Sequence, residues 1–199
     1  MARPRTFDEE RALDAAMRTF WEKGYEATST QDLCDATGLG RSSIYNTFKS
    51  KHDLFERALS RYLDAMTAAQ LAVLEEPGRP AADRVRALLA QVIEGEAECR
   101  AAAGRALGCL GVNTVVELGA RDPAAAALLE RDTARRLAAL RAAVEAGRRD
   151  GSITSVRDPD ALARFLNATI AGLRVSSQGG ADRAALEAMA EIAMDALTR

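Results

Sequence analysis

Apolar residues recur at three- and four-residue intervals along almost the whole chain, the period of helices with one buried face. Leu13, Ala16, Met17 and Phe20 form the first stripe. It predicts a helix from about Phe7 to Lys23, opened by a Thr6–Glu9 capping box and closed at Gly24. Two short helices follow. Thr28 with Gln31 has capping-box spacing, so one can start at Ser29 or Thr30 and turn Leu33 and Ala36 inward. The other spans about Arg41 to Thr47 and buries Ile44 and Phe48. Between them, Gly38 ends the first helix and Leu39 plugs the joint before Gly40. Ser50 and Asp53 cap a long helix through Leu54, Phe55, Leu59, Tyr62, Leu63 and Met66 to about Leu74, which would bridge two parts of the molecule.

After the linker Glu75–Pro80, Val85, Leu88, Leu89, Val92 and Ile93 mark a helix from about Ala81 to Glu94. Residues Gly95 to Gly108 read as a frayed helix or a loop. A short helix from Cys109 to Leu118 and a long one from Pro123 to about Ala146 come next. Asp158 with Pro159 opens an eighth helix to about Ser177, and Asp182 a ninth to about Leu197. The fold expected is all-α, with about nine helices. A three-helix head occupies residues 1–52, and a larger helical body residues 53–199.

A short helix, a glycine turn and a second short helix with small polar residues at its start is the layout of a helix-turn-helix. The outward face carries Arg41, Ser42, Ser43, Tyr45 and Asn46. Ser42 and Ser43 let the backbone approach base edges, and Arg41 can form paired bonds to a guanine. Asn46 suits either bases or backbone. Ser29, Thr30, Tyr45, Lys49 and Lys51 suit phosphates, Lys51 from the first turn of the long helix, whose N-terminus also favours an anion. An ordinary solvated helical hairpin shares this pattern, so charge has to separate the two. Lys and Arg number 27 against 29 Asp and Glu, so any nucleic-acid surface must be local. It is: no acid lies between Asp35 and Asp53, where Arg41, Lys49, Lys51 and His52 all fall. Arg3 and Arg5 add a second basic point near the N-terminus.

Other classes find little support. No apolar run approaches the ~20 residues of a membrane span, and the N-terminus does not read as a signal peptide, so a cytoplasmic protein is expected, nucleoid-associated when bound to DNA. Three cysteines without C-x-x-C spacing give neither a disulfide framework nor a zinc site, and no metal or cofactor is expected. No nucleophile–base pair or carboxylate pair assembles, so the chain is not expected to be an enzyme. A helical small-molecule carrier without DNA binding remains a rival, but it leaves the acid-free face unexplained.

Three runs carry a family resemblance: Phe20-x3-Gly24-Tyr25-x2-Thr28-Ser29, then Gly38-Leu39-Gly40-Arg41-Ser42-Ser43-Ile44-Tyr45, then Phe48-x-Ser50-Lys51-x2-Leu54. Together they closely resemble the N-terminal domain of the TetR family of bacterial transcriptional repressors. Thr47 departs from the pattern, standing where many relatives carry a backbone-gripping histidine. The resemblance implies a homodimer through the last two helices, reading a palindromic double-stranded DNA operator. Here those helices are apolar over more than one face, through Leu162, Phe165, Leu166, Ile170 and Leu173 on one and Leu186, Met189 and Ile192 on the other. It also implies a pocket for a small-molecule effector that moves the long helix. Candidate walls are Leu63, Met66, Leu88, Val92, Leu110, Val112, Val115 and Val116, with Cys109 and Asn113 beside them. No charged groups converge there in the sequence, so the effector expected is apolar. His52 reads as a surface or phosphate residue.

Gly108-Cys109-Leu110-Gly111-Val112-Asn113 resembles the Gly-Cys-Leu-x-Val-Asn segment of one TetR subgroup, some members of which respond to electrophiles or oxidants through cysteine. Cys109 at a helix N-terminus is therefore an alternative sensor, with Cys99 as a second thiol, while Cys34 reads as core.

Overall fold

A computed structural model of the chain describes residues 9–198, and among these it contains nine α-helices and no strand. They are α1 (Glu9–Lys23), α2 (Thr30–Thr37), α3 (Arg41–Phe48), α4 (Lys51–Leu74), α5 (Ala81–Ala103), α6 (Leu110–Leu118), α7 (Pro123–Asp150), α8 (Pro159–Gln178) and α9 (Arg183–Thr198). Thr6, Arg3 and Arg5 lie outside the described residues.

The apolar stripes collapse into two cores. In the first, Phe20, Leu33, Ile44, Phe48, Leu54, Phe55 and Leu59 are all but fully buried. Phe55 meets Phe20 edge-on at 5.1 Å between ring centres and Tyr25 at 4.8 Å, a geometry aromatic rings favour. This core does not end with the head, because Leu110 and Leu118 of α6 and Ala125 and Leu129 of α7 belong to it. The second core joins α5, α7, α8 and α9 through Val85, Leu89, Val144, Leu166, Leu173 and Leu197. Helix α4 serves both: Leu54 to Leu63 pack in the first and Leu74 in the second. At the seam it carries Thr67 and Gln70, buried although polar, and the Thr67 hydroxyl meets Asp132 Oδ1 of α7 at 2.5 Å.

Several local expectations are corrected. Helix α2 is capped by Ser29 rather than Thr28: Ser29 Oγ accepts from the Asp32 N–H at 3.1 Å, and Asp32 Oδ2 accepts from the Ser29 N–H at 2.8 Å. Thr28 instead is buried and donates to the Gly24 carbonyl at 2.6 Å, while Gln31 reaches Asp35. Helix α5 does not fray at Gly95 but continues to Ala103, because Glu96 is buried, Arg100 reaches the Ser177 carbonyl of α8 and Gly95 faces open space. Helix α7 runs past Ala146 to Asp150. Gly147 stays inside it because Ile153 packs so close that a Cβ there would lie 2.4 Å from its side chain. Among the described residues, no helix is long and apolar enough to cross a membrane.

Phe55→Ala is expected to cost about 3–5 kcal/mol, the range for deleting a buried aromatic ring. Denaturant unfolding measures it, and the loss should fall on the head and α6 together, since both share that ring's core.

Candidate nucleic-acid interface

Gly40, extended at φ −68°, ψ 155°, starts α3 without a side-chain cap, which leaves the first N–H groups of the helix uncovered. Ile44 and Phe48 anchor it inward. Arg41, Ser42, Asn46 and Lys49 are exposed, with Ser43 and Tyr45 half-buried beside them. The Tyr45 hydroxyl lies 2.9 Å from Thr30 Oγ1, so these two expected phosphate contacts form one unit across the turn. The Arg41 guanidinium sits over the Tyr45 ring at 5.7 Å. Among the described residues no carboxylate pairs with Arg41, Lys49 or Lys51. Of the two acids on α2, Asp35 accepts from Gln31, and Asp32 is engaged by Lys23 at 2.5 Å, where the hydrogen bonds from Lys23 and Ser29 hold it far below the usual carboxylate range. Ser29 was expected at a phosphate, but its hydroxyl is occupied by the cap of α2.

Lys49 has φ +55°, a strained conformation for a residue with a Cβ, and makes the sharp corner between α3 and α4. Ser50 then caps α4, accepting from the Asp53 N–H at 3.0 Å. Lys51 stands in the first turn with its ammonium 4.4 Å from the Tyr25 ring centre. Thus the corner puts two lysines and a helix N-terminus on one edge of the reading face.

His52 is half-exposed and turned toward two carboxylates. Its Nε2 lies 2.6 Å from Asp122 Oδ2 and its Nδ1 3.5 Å from Glu56, tying the start of α4 to the N-cap of α7. Burial pushes the Asp122 carboxyl up, but the N–H groups of Ala125 and Ala124 and the His52 contact outweigh it and leave it low. These three side chains are the only metal-ligand-type cluster among the described residues, and they are already engaged with one another and with the helix cap. A second tie was not foreseen. Glu117 of α6 accepts from the backbone N–H groups of Tyr25 at 3.0 Å and Glu26 at 2.8 Å. Gly24, at φ +82°, permits this, since a Cβ there would crowd the carboxylate at 3.1 Å. Trp21 Nε1 donates to the Gly108 carbonyl and Arg105 to that of Glu22, so α1 is fastened to the α5–α6 region as well.

Behind the head lies a cavity of about 300 Å³, bordered by Trp21, Tyr62, Met66, Val92, Glu96, Cys99 and Arg174 among others. Of the expected walls, only Met66 and Val92 line it. Leu63, Leu88 and Leu110 are buried in the cores, Val112 packs against the first core, and Asn113 donates to the Leu107 carbonyl. Val116 and Val115 are 84% and 55% exposed, because the pitch of α6 turns Leu110, Thr114 and Leu118 inward instead. Cys109 is buried, and Arg174 Nη1 reaches its Sγ at 2.7 Å. Cys99 lies on the cavity wall, and burial pushes its thiol up. Cys34 is half-buried against the first core. The buried charged residues Glu96 and Arg174 escaped the sequence reading. Their signal was a polar residue interrupting an apolar stripe on each of two distant helices.

On α8 and α9 the expected interface residues divide. Leu162, Leu166, Ile170, Leu173 and Leu186 are buried within the protomer's own second core. Met189 is half-buried, whereas Phe165, Val175 and Ile192 are 41%, 52% and 69% exposed.

Residues 12–58 match the profile of the bacterial regulatory proteins of the tetR family, and residues 81–193 that of the tetracyclin repressor-like C-terminal domain. The chain belongs to the TetR family. It is a DNA-binding transcriptional regulator. Similar proteins include the HTH-type transcriptional repressor ComR of Escherichia coli, 34% identical over 96% of this chain and 88% of its own length. The HTH-type transcriptional regulator YezE of Bacillus subtilis is 31% identical over 99% of this chain and all of its own. A cysteine mutant of the TetR family regulator CifR, solved with 26-bp operator DNA, superposes with a TM-score of 0.80 at 29% identity. The alignment covers 98% of this chain and 100% of that one. Reduced NemR of E. coli shares the fold, with a TM-score of 0.83 at 20% identity over 94% of each chain.

Glu117→Ala is expected to free the turn after α1. Losing two bonds to a carboxylate should cost about 1–2 kcal/mol and speed amide exchange at Tyr25 and Glu26 roughly tenfold. Exchange elsewhere in this TetR protein should change little.

Proposed function

We propose that this protein is a transcriptional repressor that binds a palindromic operator as a homodimer and is released by a small effector in the cavity behind its head. The observation that carries the DNA reading is the α3 face, where Arg41, Ser42, Ser43 and Asn46 stand clear of any paired carboxylate and Lys49 and Lys51 flank them. Ser42 and Ser43 admit the helix to the major groove and Arg41 reads a base, with Asn46 at bases or backbone. Thr30, Tyr45, Lys49 and Lys51 grip phosphates. The operator complex of CifR supports this reading. Phe165, Val175 and Ile192, exposed on adjoining α8 and α9, support the dimer.

The cavity supports the effector. Tyr62, Met66, Ala69 and Gln70 of α4 form one side of it, and the same helix begins at Lys51. A ligand that binds better to one position of α4 shifts the heads by that difference in affinity. A second reading, a thiol sensor at Cys109, rests on the Arg174 guanidinium held 2.7 Å from its sulfur. Cys99 is the weaker candidate, since its burial favours the neutral thiol.

The test is anisotropy-monitored binding to DNA from beside the protein's own gene. Lys51→Ala should weaken all sequences alike and reduce the salt slope by about 1, whereas Arg41→Ala should relax preference at one base by about 1–3 kcal/mol. A change of base preference in Lys51→Ala would contradict the docking register. Treating the complex with an electrophile decides between the sensors. Release in the wild type but not in Cys109→Ser supports the thiol, and binding retained in both leaves the non-covalent effector.

A further inference from the structure

Among the described residues no carboxylate pairs with Lys51, and no hydrogen bond uses its three N–H donors. What holds it is a ring: the ammonium stands 4.4 Å from the centre of Tyr25. A carboxylate in that place would fix the side chain but cancel its charge and occupy its donors. An aromatic face attracts the cation and leaves charge and donors free for a phosphate. A free lysine side chain samples many rotamers, so one already held near its working position loses less freedom on binding.

The ring is itself held from two sides. Tyr25 lies in the turn after α1, outside any helix. Its side chain packs at 4.8 Å from the Phe55 ring centre and 6.2 Å from that of Phe20, in the first core. Its backbone is fixed from the body: the Glu117 carboxylate of α6 accepts from the N–H groups of Tyr25 at 3.0 Å and Glu26 at 2.8 Å. Hydrogen bonds to an ionised acceptor are the stronger kind. One chain of contacts therefore runs from α6, through the turn after α1, to a cation at the edge of the reading face.

We infer that Tyr25 and Glu117 are positioning residues for Lys51: Glu117 fixes the turn, the turn presents the Tyr25 ring, and the ring holds the lysine ammonium ready for a DNA phosphate. This rests on the phosphate role proposed above for Lys51. It adds that the grip is set from the body, by α6, as well as from the head. Neither Tyr25 nor Glu117 needs to touch DNA.

Two readouts test this on the full-length protein, one of them without DNA. Protons held over an aromatic face resonate upfield, so the ε-methylene protons of Lys51, assigned by their loss in Lys51→Ala, should lie upfield of ordinary lysine values. Tyr25→Leu should return them to those values, and Glu117→Ala should move them part of the way. Tyr25→Phe, which keeps the ring, should leave them in place. In anisotropy titrations with the DNA described above, Tyr25→Leu should weaken binding about two- to fivefold, the size of one cation–ring contact. On a Lys51→Ala background the same substitution should change affinity by less than about 1.5-fold, because its effect passes through the lysine. Denaturant unfolding checks that each variant is folded, and should Tyr25→Leu not fold, Glu117→Ala carries the same comparison. Ordinary lysine shifts in the wild type, shifts unmoved by Glu117→Ala, or an equal loss from Tyr25→Leu on both backgrounds overturns the inference. Full DNA affinity in Lys51→Ala, with the upfield shifts present in the wild type, would instead sink the phosphate role of Lys51 and leave its positioning by Tyr25 and Glu117 standing.

Discussion

Helix α4 has to satisfy two cores at once. It is one unbroken helix whose 24 residues span about 36 Å, so it acts as a rod rather than a hinge. One end is fixed by Phe20, Phe48 and Tyr25 packing around Leu54, Phe55 and Leu59, the other by Leu74 against the body. Neither core can move relative to the other without carrying this rod or breaking its packing. The head is therefore not a separate bead on a linker. His52 to Asp122, Glu117 to the backbone after α1, and Trp21 to Gly108 add ties around the same joint.

What makes the joint adjustable is its polarity. Between two close-packed apolar clusters lie Thr67, Gln70, Asp132, Glu96 and Arg174, all buried. Apolar packing tolerates little displacement, whereas hydrogen-bonded pairs can exchange partners between discrete arrangements. Under the proposed function, a ligand in the cavity stabilises one arrangement of α4, and the strained corner at Lys49 lies just before the start of that helix. The same polar seam would serve the thiol reading through Arg174 and Cys109.

The head was legible because its signals are local. Gly38, Ser50 and the apolar spacing of Ile44 and Phe48 each act within four residues, so the turn and both short helices could be placed with errors of about one residue, although the cap of α2 was read at Thr28 and Gln31 and lies at Ser29 and Asp32. Long-range features were less so. An apolar residue on α8 or α9 looks the same whether it packs inward, as Leu166 does, or stands outside, as Ile192 does. The cavity was hidden for a related reason. Trp21, Glu96 and Arg174 come from α1, α5 and α8, and only the packing of those helices brings them together. Residues Gly95 to Ala103 misled because glycine and alanine weaken the pattern, while burial of Glu96 and the reach of Arg100 to α8 decide the outcome.

The most direct test of the proposed dimer, with its two rigidly held reading heads, is the spacing of the half-sites. The protected sequence is first mapped by footprinting, and about five base pairs, half a helical turn, are then inserted at its centre. A dimer braced by α4 and joined through α8 and α9 should fall to non-specific affinity on that DNA, because the second head faces the wrong side of the duplex. Unchanged affinity would mean that each head binds independently, and the rigid two-headed arrangement would be wrong.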